Sequence, residues 1–169
     1  MSILIYFILG LLTSLLFPPY FFLPLGFIIF PSLCFLLESN KENYSGKNIF
    51  SKFSIFGFGF FISYLFWFKN PFFVFEETKN FFLVFLLLII FLSVILALIF
   101  TIILKLGKKI PTIFLIPLMF TSSEYIISIF FYGFPWFTFS LLLSSNEYLL
   151  FSLKSFGTLF SSYLIIQIF

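Results

Sequence analysis

The sequence has no arginine, no histidine and no aspartate, and it contains a single cysteine, Cys34. Metal centres and most acid–base sites are built from histidine, aspartate, glutamate and cysteine side chains. Because these groups are so few, we expect neither a metal site nor another cofactor. A disulfide within the chain is excluded, since Cys34 has no second cysteine to pair with. We interpret Cys34 as a small core residue.

Charged residues are scarce as well. They make up 9% of the chain, against 62% hydrophobic residues, and the mean hydropathy is +1.23. Soluble domains lie far from these values. The net charge of +3 comes from lysines that form no dense basic patch, so we expect no nucleic-acid partner. The composition predicts an integral membrane protein that is surrounded by the lipid bilayer.

Long apolar runs recur along the chain. An α-helix of about 20 residues crosses a hydrocarbon core of roughly 30 Å, and several runs approach this length. The pattern therefore predicts an all-α bundle of about six transmembrane helices. The predicted spans are residues 3–17, 25–37, 53–68, 81–104, 111–131 and 149–169.

The positions of the lysines predict the orientation of this bundle. Lys69 and Lys79 are the only lysines between the third and fourth spans. Six others fall in the loops after the second and fourth spans: Lys41, Lys47, Lys52, Lys105, Lys108 and Lys109. Lysine-rich loops stay in the cytoplasm, so the N-terminus is predicted to be cytoplasmic. Three segments then face the opposite side: residues 18–24, residues 69–79 and the "GFPW" loop at 133–136.

Glu124 is the one glutamate that falls well inside a predicted span. It lies about 13 residues from the start of the fifth span, which places it roughly 20 Å along that helix. A carboxylate at this depth costs several kcal/mol unless it is protonated, paired or hydrated, so Glu124 is a candidate functional residue. Thr121 and Ser128 share its helix face, and we expect this polar stripe to face the bundle interior. The alternative is a structural tie to a polar group on another helix, or to Lys69 or Lys154.

The "GFPW" word ends the fifth span. Pro135 lacks an amide donor and Gly133 readily adopts positive φ, so both favour termination of the helix. Trp136 is then expected at the membrane interface, with its ring in the acyl region and its N–H among headgroups. Taken alone, this pattern is typical of any outer loop with an aromatic belt.

Several motifs in order resemble one known family. The "GFPW" word, with a glutamate nine residues before Gly133 and another span after it, resembles apolipoprotein N-acyltransferases. "LFPPYFFLPLGFI" is similar to the first hairpin of that family, and "FGFGFFISYLFW" is similar to its glycine-rich third span. "SFGTLFSSYLI" is similar to the segment that follows the "GFPW" loop. The family usually carries an arginine shortly after the glutamate, and residues 126–128 supply none.

The resemblance implies an enzyme and a location. Members of the family transfer an acyl chain from a phospholipid to the N-terminal diacylglyceryl-cysteine of a lipoprotein, on the outer, periplasmic face of the bacterial inner membrane. The acyl group passes through a thioester on a cysteine of a nitrilase-like carbon–nitrogen hydrolase domain. The resemblance implies that residues 1–169 are the N-terminal transmembrane domain, that the hydrolase domain follows residue 169, and that no catalytic residue lies in this chain. The sequence stops at Phe169 inside an apolar run, with no polar or positively charged residue after it. We therefore expect a truncated sequence.

The resemblance also implies a role for this membrane region, which is to position the phospholipid donor and the apolipoprotein acceptor. Phe134 and Trp136 are the foremost candidates for lipid contact, and Glu124 remains a further candidate. Pro19 and Tyr20 come next.

Gly57 and Gly59 complete the set of candidates. Each glycine removes a side chain from the third span, and this either allows close helix packing or leaves room for an acyl tail.

Two other readings of the sequence stay open. A small multi-span transporter, or a substrate-binding membrane subunit, would use Glu124 as a buried ligand group and would need no further domain. A nonfunctional remnant or an assembly fragment is the third reading.

Overall fold

The computed structural model describes residues 3–39 and 45–169. Over these residues the chain is all-helical and has no β-strand, which confirms the predicted fold class at this level. The α-helices are α1 (Ile3–Ser14), α2 (Gly26–Glu38), α3 (Gly46–Tyr64), α4 (Phe82–Leu106), α5 (Thr112–Phe130), α6 (Glu147–Phe156) and α7 (Thr158–Ile168). Short 3₁₀ segments lie at Leu23–Leu25, Phe66–Phe73, Glu76–Phe81 and Phe139–Ser145.

Some of these helices are long and apolar enough to cross a membrane. In the described parts of the chain there are two, Glu76–Leu106 and Thr112–Phe130. A third results if α3 and the 3₁₀ segment Phe66–Phe73, which meet at an angle of 53°, form one broken span. The helices Ile3–Ser14, Leu23–Glu38 and Thr158–Ile168 are apolar but shorter. The chain is therefore a membrane protein with two or three candidate spans, and the number six stays a prediction.

The helix boundaries differ most from the predicted spans in two places. α3 begins at Gly46, well before residue 53, because the Ser45 side chain accepts a hydrogen bond from the Asn48 amide and caps the helix. The predicted span 149–169 consists of two helices, because Gly157 adopts φ 73° between them. Lys41, one of the lysines used to predict the orientation, lies outside the described residues.

One end of the bundle gathers the segments that follow α1, α3 and α5. The Phe17 ring centroid lies 4.8 Å from that of Tyr64 and 5.0 Å from that of Phe139. The Phe68 ring lies 5.6 Å from the Trp136 indole. We call this the aromatic end, formed by residues 15–25, 65–81 and 131–146. The three segments predicted to face one side of the membrane thus belong to one end of the bundle, although the side itself stays a prediction.

The opposite end, which we call the lysine end, joins the C-terminus of α2 to the N-terminus of α5. The Thr112 hydroxyl donates a hydrogen bond to the Glu38 carboxylate there. The Lys52 ammonium lies 5.6 Å from the centroid of the Tyr6 ring, and Lys105 reaches Gly46 at the start of α3. Lysines from α3 and α4 are therefore neighbours at this end.

The core between the two ends is a chain of phenylalanine rings. Phe53 and Phe100 meet edge to face at 4.9 Å, and Phe100 meets Phe120 at the same distance. Phe120 in turn lies 5.1 Å from Phe139, whose ring reaches Phe17. Such T-shaped contacts favour defined ring orientations over loose apolar packing. The large phenylalanine content therefore builds a continuous core from α3 to the aromatic end.

Candidate functional site

The loop that contains the "GFPW" word, taken from here on as residues 133–139, follows the end of α5. The Gly133 amide donates a 2.7 Å hydrogen bond to the Ser128 carbonyl, and Gly133 itself has φ 87°. A positive φ after the last turn, with an amide bonded back into the helix, is a common way to terminate a helix. Tyr132 precedes it with φ 55° and a fully exposed side chain. The predicted end of the fifth helix at this word therefore matches the backbone.

Of the four aromatic side chains in residues 133–139, one is exposed, one is half-buried and two are buried. Phe134 is 56% exposed, and Trp136 is half-buried between the rings of Phe68, Phe131 and Phe134. The indole N–H of Trp136 is buried, and no described residue accepts a hydrogen bond from it. The rings of the buried pair, Phe137 and Phe139, are enclosed in the core. Residues 137–139 thus anchor the loop in the core, whereas residues 133–135 lie at the surface of the bundle.

Glu124 lies directly beneath this loop and is only 5% exposed. Its Oε2 accepts a 3.1 Å hydrogen bond from the Phe139 amide. Its Oε1 accepts hydrogen bonds from the hydroxyls of Thr138 and of Ser162, the latter at 3.2 Å. These partners are all uncharged, and neither Lys69 nor Lys154 forms an ion pair with it in the described structure. The carboxylate is therefore bound to the loop and to α7.

Ser140 extends the same network. Its amide donates a 2.8 Å hydrogen bond to the Ser162 hydroxyl, and its own hydroxyl lies 3.1 Å from that of Thr138. We call the group formed by Glu124, Thr138, Phe139, Ser140 and Ser162 the Glu124 cluster. It joins α5, the 3₁₀ segment after the loop, and α7. The structure thus favours the alternative in which Glu124 has a structural role. Its carboxylate connects α5 to the loop and to α7.

The polar stripe predicted on α5 is only partly realised. Thr121 is buried, but its hydroxyl donates to the Pro117 carbonyl of its own helix at 2.8 Å. Ser128 is partly exposed and donates to the Tyr125 carbonyl, also at 2.8 Å. Neither hydroxyl reaches Glu124.

Sequence reasoning missed the true partners of Glu124. A signal was present in "FTFS", residues 137–140, where phenylalanine and hydroxyl residues alternate as they do in an extended segment with one buried face. Thr138 does adopt extended angles, with φ −149° and ψ 123°.

The other candidates lie in two places. Pro19 and Tyr20 are exposed in the turn after α1, at the aromatic end. Gly57 and Gly59 lie inside the bundle, where neighbouring helices fill the space beside them. A Cβ on Gly57 would lie 3.0 Å from the Ser93 Cα of α4, and one on Gly59 would lie 2.5 Å from the Phe7 carbonyl oxygen of α1.

An open groove runs between α5 and α7 beside the Glu124 cluster. Its volume is about 420 Å³. It is lined by Thr121, Ser122, Tyr125, Leu159, Phe160 and Tyr163. Apolar rings with a few hydroxyls suit a lipid chain better than a charged solute.

Comparison with known proteins gives one match. A family model described as the apolipoprotein N-acyltransferase N-terminal domain matches residues 9–168. No curated protein and no solved structure matches the chain. The matched range contains the "GFPW" loop, the Glu124 cluster and the groove. The resemblance seen in the sequence motifs is confirmed.

Proposed function

The chain belongs to the apolipoprotein N-acyltransferase N-terminal domain family, and from this premise we propose that it is the membrane domain of an enzyme that acylates lipoproteins. The enzyme transfers an acyl chain from a phospholipid to the α-amino group of an N-terminal diacylglyceryl-cysteine. The nucleophile and its acid–base partners belong to a carbon–nitrogen hydrolase domain outside residues 1–169. This region holds both lipid substrates beside that domain, which is catalysis by positioning.

The proposed orientation places the aromatic end at the outer face of the bacterial inner membrane. The lysine end, with Lys47, Lys52 and Lys105, then lies in the cytoplasm, as the bias of lysine toward cytoplasmic loops favours. Six crossings follow if α1, α2, α4, α5 and α7 each cross once and α3 crosses together with its 3₁₀ extension. The exposed rings at the aromatic end then lie at the depth where aromatic belts form.

The observation that carries the proposal is the environment of Trp136. Three aromatic rings fix its indole at the aromatic end, and its N–H is buried without an acceptor among the described residues. A buried donor without a partner costs about 1–3 kcal/mol. A small shift of the loop would offer this N–H to an ester carbonyl or a phosphate oxygen, and both substrates carry such groups.

Neighbouring residues extend this lipid contact. Phe134, Pro19 and Tyr20 are exposed at the same end and supply apolar surface beside the indole. The groove between α5 and α7 opens near the Glu124 cluster and is the proposed place for an acyl tail. Gly57 and Gly59 take part indirectly, by setting the distance of α3 from α4 and α1.

A transporter or a binding subunit that uses Glu124 as a ligand group gains no support from this arrangement. Both carboxylate oxygens already accept hydrogen bonds from the chain itself.

The experiment that tests the proposal uses the intact gene product. We expect Trp136→Ala to lower kcat/KM for acyl transfer to a diacylglyceryl-cysteine peptide by roughly tenfold to a hundredfold, because the reacting groups lose their alignment. Trp136→Phe keeps an aromatic ring but lacks the N–H. Its kcat/KM should therefore lie between those of the unmodified protein and of Trp136→Ala. Trp67→Phe is the matched control, since Trp67 is exposed at the same end.

Two results would count against the proposal. Unchanged transfer by Trp136→Ala, at equal amounts of folded protein, would remove Trp136 as a lipid contact. A complete gene that encodes no hydrolase domain with a nucleophilic cysteine, in a protein without transfer activity, would overturn the function itself.

A further inference from the structure

We infer that Glu124 is a positioning residue whose carboxylate fixes the "GFPW" loop onto α7, and that it acts through this loop with no direct contact to substrate. Its effect on acyl transfer rests on the proposed function. The hydrogen bonds that carry the inference do not, and they can be tested without any activity.

The first argument is that both carboxylate oxygens are already bound by donors of the chain itself, in a site closed to a ligand. Three donors converge on its two oxygens: the Phe139 amide, and the hydroxyls of Thr138 and Ser162. The residue is 5% exposed, beneath the loop. A substrate amine could reach the carboxylate only if the loop above it moved away, and that would break the bonds of Thr138 and Phe139 in an apolar core, which is costly.

The second argument is that the cluster holds residues 137–139, directly beside Trp136, while the tip of the loop at residues 132–135 stays exposed. The rings of Phe137 and Phe139 are buried, with Phe137 5.6 Å from Phe60 and Phe139 5.1 Å from Phe120. Thr138, between them, has extended backbone angles, so its side chain projects from the opposite face, where it meets Glu124. Both faces of residues 137–139 are therefore held. Trp136 is the next residue toward the free tip.

The third argument concerns charge. Every partner of Glu124 in the described structure is neutral, so the network needs hydrogen-bonding atoms and has no use for a net negative charge. A glutamine can satisfy it: the amide oxygen accepts from the Phe139 N–H, and the NH₂ group donates to the two hydroxyl oxygens. A role in binding the amino group of the acceptor would instead require the charge. Glutamine and alanine variants therefore separate the two roles.

The first experiment measures hydrogen exchange of residues 133–146 by mass spectrometry in the intact protein in lipid nanodiscs. We expect Glu124→Ala to speed exchange in this segment by roughly tenfold or more, since its anchoring bonds are lost. Glu124→Gln should exchange like the unmodified protein. Ser123→Ala is the matched control: Ser123 is equally buried, but its hydroxyl bonds only to the Met119 carbonyl of its own helix. Unchanged exchange in Glu124→Ala would overturn the inference.

The second experiment measures acyl transfer by the same variants. We expect Glu124→Ala to lower kcat/KM by roughly tenfold, and Glu124→Gln to stay within about threefold of the unmodified protein. If Glu124 acts through the loop, the double variant with Trp136→Ala should be no worse than the poorer single variant, because coupled sites are not additive. A purely structural effect elsewhere would give additive losses.

The outcomes also separate this inference from the proposed function. A glutamine variant as inactive as the alanine variant would show that the charge is required and would overturn the positioning role. Absence of any transfer by the unmodified intact protein would overturn the proposed function, while the exchange experiment would still decide the role of Glu124.

Discussion

The contact of α3 with α1 and α4 and the contact of α5 with α7 are built by different means. α3 meets its neighbours through glycines, so closely that a Cβ on Gly10 would collide with the Phe56 carbonyl. Between α5 and α7, a buried carboxylate, two hydroxyls and two backbone amides form a hydrogen-bond network. Helices in a bilayer gain no hydrophobic free energy from pairing, so they associate through close packing or through buried hydrogen bonds. This bundle uses close packing between α3 and its neighbours, and buried hydrogen bonds between α5 and α7.

The difference bears on where the proposed lipid substrates would bind. At Gly10, Gly57 and Gly59 the helices α1, α3 and α4 meet so closely that an added Cβ would press against backbone atoms of the neighbouring helix. The contact of α5 with α7 runs through a loop and lies beside an open groove. It ends near Trp136, whose N–H has no acceptor among the described residues. We call α1, α3 and α4 the rigid half, and α5, the loop and α7 the adjustable half. A loop held by a rigid scaffold suits the proposed positioning role.

The largest expected effect comes from breaking the rigid half. Gly10→Ala forces a methyl group onto the Phe56 carbonyl, so α1 and α3 must separate. We expect a loss of about 3 kcal/mol in the free energy of unfolding, at the upper part of the range for overpacking. The measurement is the midpoint of thermal unfolding of the intact protein in detergent micelles.

Gly46→Ala is the control for that substitution. Its Cβ would meet only the flexible end of Lys105, which can move aside, so we expect a change within about 0.5 kcal/mol. Equal effects of the two alanine substitutions would show that the α1–α3 contact does not depend on the missing side chain.

An intermediate effect is expected where α7 begins. Gly157 has φ 73° and ψ 170°, a conformation that residues with a Cβ avoid, and it sets the direction in which α7 brings Ser162 toward Glu124. Gly157→Ala should therefore cost about 1–2 kcal/mol in stability. It should also speed hydrogen exchange in residues 133–146. Ser155→Ala, at an exposed position of α6, is the control, and faster exchange in both variants alike would contradict this link.

The sequence predicted the helices and the burial of Glu124, but it did not predict the hydrogen bonds that hold the loop. The lengths of the apolar runs predicted the all-helical fold, and the periodicity of α5 predicted a buried Glu124, because both are local properties of the chain. The partners of Glu124 were not predicted, since Thr138 and Ser162 lie 14 and 38 residues away and meet it only through the fold. The break at Gly157 was missed because a glycine inside an apolar run is also compatible with a continuous helix.

The smallest expected effect concerns the one hydroxyl pair in the α1–α3 contact that parallels the Glu124 cluster. The hydroxyls of Ser14 and Ser63 are 2.7 Å apart, but the Ser14 hydroxyl also reaches the Leu11 carbonyl at 2.7 Å. Because Ser14 keeps a partner within its own helix, the bond between helices should contribute only about 0.6 kcal/mol, the average for such bonds in membranes. The measurement is a double-mutant cycle of Ser14→Ala and Ser63→Ala in thermal unfolding. Thr13→Val is the control, as its hydroxyl bonds only to the Leu9 carbonyl.

The size of this coupling energy decides whether the rigid and the adjustable halves are held together by different interactions. A coupling well above 2 kcal/mol would mean that α1 and α3 also depend on polar bonds, and the contrast with the Glu124 cluster would disappear. A small coupling, together with a large loss in Gly10→Ala, would mean that packing alone holds the rigid half. Buried hydrogen bonds would then matter most in the adjustable half, where the Glu124 cluster holds the loop.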